Sequence, residues 1–291
     1  MTAPRLFCFG FGYSAGVLAR RLVARGWRIA GTLRDPARIA ELRDAGVEAY
    51  LFDGDRPLDD AAGALAGSTH LLSSVPPGAD GDPVIAAHGA DIAACRSLRW
   101  VGYLSTTGVY GDRQGGWVDE DSELAPTGAR GRRRVAAERA WLALHRERGV
   151  PVHVFRLAGI YGPGRNALAS LRRGTAKRID KPGQVFSRIH VEDIAAVLEA
   201  SIARPAPGRA YNVCDDDPAP PEAVIAFAAE LLGRPPPPLV PFAEADLGPM
   251  ARSFYRDNKR VANRRIKDEL GVRLRFPDYR VGLKALLADS G

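Results

Sequence analysis

The sequence predicts an α/β protein built on a doubly wound parallel sheet, with a smaller, interleaved C-terminal lobe, and three observations carry that prediction. Short apolar and aromatic runs alternate with helical periodicity through the N-terminal part, in the order β-α-β-α-β. A glycine-rich turn, Gly10-Phe11-Gly12-Tyr13-Ser14-Ala15-Gly16, joins the first run to the first helix. Beyond Gly164 the alternation becomes irregular, as expected of a lobe interleaved with the last sheet elements. The expected division is 1–163 for the sheet domain and 164–291 for the lobe, with approximately 185–215 returning to the sheet.

Composition narrows the class. With 46% hydrophobic and 26% charged residues, the 291-residue chain suits one large α/β domain or two small ones. No apolar run approaches a membrane span and the first strand opens without a signal peptide, so the expectation is cytoplasmic, with no membrane partner. Cys8, Cys95 and Cys214 are isolated and lack metal spacing; they predict neither a disulfide framework nor a metal site, and read as buried small apolar residues. The net charge of +7 and pI near 9.6 raise the question of nucleic acid. Yet arginines are spread along the chain, and no reading helix or aromatic platform accompanies them. The clusters Arg130–Arg134 and Lys259–Lys267 each fall in a predicted helix, where a solvated face is the ordinary reading and attraction of a small anion the next.

Arg5–Phe9, bounded by Pro4, reads as a buried parallel strand. Gly10, Gly12 and Ala15 then give the spacing GxGxxA. Its physical purpose is a diphosphate: the first glycine makes the tight turn, the second admits the pyrophosphate to the backbone, and the small third residue lets helix pack on strand. Tyr13, Ser14 and Gly16 complete the cradle at a helix N-terminus, whose free N–H groups and dipole favour an anion. Val17, Leu18, Leu22 and Val23 share one face of that helix, which closes at Gly26. The pattern is of the dinucleotide-binding, Rossmann type.

Arg28–Leu33 is the second strand, Asp35–Ala45 a helix and Val47–Phe52 the third strand. An NAD enzyme needs an acidic residue at the end of the second strand, and this chain has Thr32-Leu33-Arg34. Arg34 suits bidentate bonds to a 2′-phosphate, which favours NADP; Asp35 is adjacent and keeps NAD open. Asp53 is placed either to meet the adenine amino group or to make the turn Asp53-Gly54-Asp55. The fourth strand, Thr69–Val75, stops at Pro76-Pro77, which puts Val75 where cofactor contacts are expected. Pro83–Arg96 is a helix and Trp100–Leu104 the fifth strand.

That strand delivers Ser105-Thr106-Thr107-Gly108-Val109-Tyr110-Gly111. Arg156-Leu157-Ala158-Gly159-Ile160-Tyr161-Gly162-Pro163-Gly164, Arg188-Ile189-His190-Val191-Glu192-Asp193 and Ala210-Tyr211-Asn212-Val213 follow in order. Together these segments resemble the extended short-chain dehydrogenases, the NAD-dependent epimerase/dehydratase family, over nearly the whole chain. The resemblance implies that Thr106 hydrogen-bonds the reacting oxygen, that Ala158 and Ile160 border the nicotinamide, and that Tyr161 and Arg188 meet substrate. It implies that Arg260, in Asn258–Ile266, reaches a phosphorylated substrate. The family's acid/base tyrosine lies four residues before a lysine, on the helix after the fifth strand. Aligned through Val135-Ala136-Ala137-Glu138, those positions hold Arg130 and Arg134, so this is an atypical member.

Arginine does not exchange protons near neutrality, although Arg134 can position cofactor or substrate. Tyr110, nearest Thr106 in sequence, is the first substitute to consider, with Tyr13, Tyr161 and His190 behind it. Two functions stay open at this point: an NADP(H)-dependent oxidoreductase or epimerase acting on a small sugar-like or anionic molecule, and a non-catalytic dinucleotide-responsive protein. The helix Gly128–Arg148 leaves monomer and homodimer open, because its arginines disfavour an apolar seam.

Overall fold

In the computed structural model, which describes residues 3–289, the chain divides into two compact units. The first holds the chain up to Thr106 together with Arg132–Arg156 and Ala195–Tyr211. The second holds Thr107–Gly131, Leu157–Ile194 and the chain from Asn212 onward.

The chain begins β1 (Arg5–Phe9), α1 (Tyr13–Val23), β2 (Arg28–Leu33), α2 (Ala37–Asp44), β3 (Glu48–Leu51) and α3 (Ala61–Leu65). It continues through β4 (His70–Ser73), α4 (Pro83–Ala94) and β5 (Trp100–Thr106). The dipeptide β6 (Trp117–Val118) precedes α5 (Ala129–Arg148), β7 (Val152–Leu157), β8 (Gly159–Tyr161), α6 (Ala167–Arg172), β9 (Arg178–Asp180) and β10 (Arg188–His190). Then come α7 (Val191–Ala203), β11 (Ala210–Val213), α8 (Pro221–Leu231) and β12 (Leu239–Pro241). The last elements are α9 (Pro249–Phe254), β13 (Arg260–Val261), α10 (Arg264–Asp268) and α11 (Tyr279–Ala288).

Seven strands form one sheet in the order β11-β7-β5-β4-β1-β2-β3, with β1 pairing parallel to both β2 and β4. The chain therefore winds outward from β1 in both directions, the doubly wound arrangement, and the carboxyl end of β1 lies where the winding reverses. Strand β1 is buried at all five positions: Leu6–Phe9 are apolar, as a strand covered on both faces requires, and Arg5 at its start is satisfied by the Ala64 carbonyl, the Ser68 hydroxyl and Glu48. Phe7, Phe9, Leu71, Val101, Tyr103, Val152 and Val154 make a core with Ile92 and Trp141. Helix α4 starts where Asp82 accepts the amides of Val84 and Ile85. The same carboxylate accepts the Trp141 indole N–H at 3.0 Å, tying α5 to α4.

A charged pair crosses this core. Glu138 of α5, 1% exposed, pairs with Arg156 of β7 at 2.9 Å and accepts the Ser105 hydroxyl of β5 at 2.5 Å. Three elements thereby meet at a buried pair whose burial cost is offset by multiple charge-assisted bonds.

The second unit has no large sheet of its own; parallel two-strand ladders β10–β8, β12–β9 and β13–β6 frame it. Its main core gathers Tyr161, Leu168, Val224, Ala228, Tyr279, Leu283 and Leu286 from β8, α6, α8 and α11. Gly282 is what lets α11 approach, since a Cβ there would sit 2.1 Å from the Tyr161 hydroxyl.

Three expectations need correcting. Lys259–Lys267 is not one helix: Arg260–Val261 pair with Trp117–Val118, and only Arg264–Asp268 is helical, because ladder bonds override the local propensity. Cys95 is half-buried rather than buried, at the end of α4 where that helix meets the surface. Helix α3 was absent from the sequence expectation; it is too short to show periodicity and rests on its cap, the Asp60 carboxylate accepting the Gly63 amide. Among the described residues no helix is long and apolar enough to cross a membrane.

Replacing Glu138 by alanine strands the Arg156 guanidinium in the core, and denaturant titration should show a loss of about 3–5 kcal/mol. A Glu138→Leu, Arg156→Leu double variant should lose much less.

Candidate functional site

The glycine turn is held open by side chains remote in sequence. Gly10 has φ +79°, a conformation that glycine adopts without strain, and its N–H donates to the Thr32 hydroxyl at 2.9 Å. Its carbonyl accepts the Ser74 hydroxyl at 2.5 Å. A Cβ on Gly10 would lie 2.9 Å from Ser74 Oγ and 3.1 Å from Val75, whereas one on Gly12 would meet nothing within 4 Å. So one glycine is pinned by the sheet and the other faces open space. Helix α1 starts at Gly12 with no capping side chain and no acidic residue in its first turn. Uncapped N–H groups and a positive dipole end at the carboxyl edge of β1 make an anion site, and the residues present fit a dinucleotide diphosphate. Ala15, fully buried, lets α1 pack against the sheet; Ser14 is buried, Gly16 half-buried, and Tyr13 36% exposed beside the turn.

Arg34 is exposed at the end of β2. Its neighbour Asp35 is engaged locally, accepting the Ala37 amide at 3.0 Å at the start of α2. Asp53 is likewise occupied in its turn: the amides of Asp55 and Arg56 donate to it and hold its carboxyl below the ordinary range. Val75 is half-buried beside Gly10.

At the end of β5, Thr106 is half-buried, one residue past the Ser105 that Glu138 grips. Arg134 turns back onto the strand, donating to the Leu104 carbonyl at 2.7 Å and the Tyr103 hydroxyl at 3.1 Å. Its fixed cation therefore stands by the strand that carries Thr106. Arg130 lies over the Phe254 ring at 5.7 Å.

In the second unit, Tyr110 is fully buried and its hydroxyl donates to Asn212 Oδ1 at 2.7 Å. Asn212 also binds Glu120 through its amide and the Ala262 carbonyl through Nδ2, so it joins four segments. Ala158 is buried and its N–H donates to the Val213 carbonyl; Ile160 is half-buried in β8, opposite Ile189. Arg260 Nη1 donates to the Gly115 carbonyl, so its head is engaged within the β13–β6 ladder region. His190 packs on Phe276 at 3.9 Å between ring centroids and edge-on to Tyr161; burial lowers its pKa to about 4, which keeps it neutral.

Tyr161 and Arg188 share a cavity of about 280 Å³, bounded by α6, α8 and α11, with Tyr279, Val224, Ile225 and Leu283 among its walls. Asp215, whose amide donates to the Arg188 carbonyl at 2.6 Å, is 1% exposed, and neither carboxylate oxygen has a hydrogen-bond partner among the described residues. Burial pushes its pKa up to about 8, against the pull of Arg188. Thr32, Ser74, Glu138, Asn212 and Asp215 are absent from the sequence-level candidates. Their partners are distant in the chain, so no local spacing marks them.

Residues 89–214 match the NAD dependent epimerase/dehydratase family. Protein YeeZ of Escherichia coli (strain K12) is 28% identical over 279 residues, covering 92% of this chain and 95% of that protein. A functionally unknown conserved protein from Silicibacter pomeroyi DSS has a solved structure 59% identical in sequence, with a TM-score of 0.91 and 99% of each chain covered. The dTDP-glucose 4,6-dehydratase of Bacillus anthracis str. Ames, solved in complex with NAD, is 14% identical with a TM-score of 0.79, covering 98% of this chain and 96% of that one. That last likeness concerns the fold alone.

Two measurements check this geometry. Gly10→Ala forces a side chain into a left-handed turn and against Ser74, so stability should fall by about 1–3 kcal/mol and the turn should lose dinucleotide affinity in a binding titration. For Asp215, the folded chain keeps a proton that the unfolded chain releases near the ordinary value of 3.8. Stability should therefore decline on its account as pH rises from about 4 to about 8, and Asp215→Asn should flatten that part of the pH–stability curve.

Proposed function

With residues 89–214 matching the NAD dependent epimerase/dehydratase family, we propose that this chain is an NADP(H)-binding oxidoreductase or epimerase acting on a small sugar-like or anionic carbonyl or alcohol substrate. The observation that carries the reading is the uncapped start of α1 above a glycine turn latched by Thr32 and Ser74. The preference for the 2′-phosphorylated cofactor is supported by the division of labour after β2: Asp35 caps its own helix, while Arg34 stays exposed. The half-buried and buried thiols of Cys8, Cys95 and Cys214, none in a disulfide, suit a cytoplasmic setting.

The bound dinucleotide supplies or accepts hydride at its nicotinamide. The chain's part is orientation and charge. Thr106 hydrogen-bonds the oxygen of the reacting C–OH or C=O group, and Ser105, clamped by Glu138, fixes the strand end that presents it. Arg134, held by Leu104 and Tyr103, keeps a positive charge at that strand and favours an anionic group. Within the second unit, Tyr161 and Arg188 are the residues taken to bind a small-molecule substrate group. Helix α5 offers no acid or base at the two arginine positions, so the proton is relayed by another nearby side chain or by water.

A second reading rests on that same helix. By sequence alignment Arg130 takes the position of the family's acid/base, and its charge lies over the Phe254 ring, which suits a dinucleotide-responsive binding protein without turnover.

Fluorescence titration with NADPH and NADH separates the cofactor choice. Arg34→Ala should weaken NADPH binding by about 10- to 100-fold, the value of a lost charge-assisted bond, and leave NADH nearly unchanged. Equal weakening of both, or of neither, would remove the NADP assignment. Oxidation of NADPH against a panel of carbonyls and ketosugars then decides between the two readings: turnover that drops about 10²- to 10³-fold in Thr106→Ala marks the enzyme. Binding with no turnover across the panel marks the sensor.

A further inference from the structure

We infer that the cavity of the second unit binds a small organic oxyanion, a carboxylate or phosphate monoester carrying an apolar body, anchored on Arg188. The inference rests on the reading of that unit as the substrate-binding part and names the ligand class it takes. Arg188 is half-buried on β10, where a charge needs a counter-charge or several hydrogen bonds. Its Nη1 donates to the Phe186 and Ala219 carbonyls at 2.8 and 3.1 Å. Among the described residues Nε and Nη2 have no partner and the guanidinium forms no ion pair. Asp215 interacts with it electrostatically but makes no ion pair with it. The two carbonyls fix the guanidinium plane and leave the Nε–Nη2 edge, the fork that matches a carboxylate or phosphate with two parallel bonds.

The rest of the lining suits such a ligand. The Tyr279 hydroxyl has no hydrogen-bond partner among the described residues and adds a donor to the same space. Lys177 lies on the lining and is tied to exposed Asp246, a weak surface pairing that leaves its charge to attract anions. Ala167, Pro221, Val224, Ile225 and Leu283 add apolar lining to the same cavity, so it combines charged and apolar contacts. A cavity of ~150 Å³ admits benzene, so about 280 Å³ accommodates roughly ten non-hydrogen atoms.

Isothermal titration of the full chain, with no cofactor present, tests this with phenylacetate, phenyl phosphate and the neutral isostere phenylacetamide. Saturable binding is expected for at least one anion, about tenfold or more tighter than for the amide, and whichever anion binds identifies the headgroup. Arg188→Gln should abolish the preference for the anion, and Tyr279→Phe should weaken it several-fold. Ile225→Trp should block all three probes by filling the apolar side, and it carries the test if Arg188→Gln fails to fold. The inference is overturned if the amide binds as tightly as the anions, if neither anion saturates, or if the folded Arg188→Gln or Ile225→Trp protein binds unchanged. Because the titration needs neither dinucleotide nor turnover, its failure is distinguishable from failure of the NADPH titration.

Discussion

The first unit depends on the buried contact between Glu138 and Arg156. A carboxylate and a guanidinium in an apolar core are tolerable only while each satisfies the other, and Ser105 takes up one of the same carboxylate oxygens. The restraint is therefore threefold: helix α5 cannot slide along β5 or β7 without leaving a charge unpaired. This rigidity is what gives meaning to the neighbouring positions. Thr106 is the residue after the clamped serine, and Arg134 is one helical turn before the clamped glutamate. Their places follow from a stability constraint.

The same logic governs the glycine turn. A left-handed glycine alone makes only a bend. The hydroxyls of Thr32 and Ser74, from β2 and the end of β4, hold its N–H and its carbonyl, so that the turn is stiff before any ligand arrives. Preorganised donors bind an anion without the entropic cost of ordering them. In the second unit the corresponding element is Arg188, whose guanidinium is aimed by two backbone carbonyls rather than by a carboxylate. A cation fixed by neutral acceptors keeps its full charge for a ligand, whereas one fixed by an aspartate would spend it internally. Asp215 stands near enough to be felt, yet its burial pushes it toward the protonated form.

Arg130 and Arg134 give α5 two arginines with different partners. Arg134 acts as a brace between helix and strand, and Arg130 covers an aromatic ring.

Local patterns determined the α/β class, the order of the strands as far as β5, and the glycine turn, because each rests on periodicity or on spacing within a few residues. Arg5–Phe9 and Arg28–Leu33 were legible to the residue, since each is a short, largely apolar run between breakers. The short ladders of the second unit were not legible. Two- and three-residue strands such as Arg260–Val261 carry no period, and their partner, Trp117–Val118, lies far along the chain. Only the tertiary structure brought Thr32 and Ser74 to Gly10, Glu138 to Arg156, and Arg188 to Tyr279 around one cavity. Each of these contacts joins residues whose separation in sequence has no fixed relation to their separation in space. Their energies come from burial, which exists only once the chain has folded.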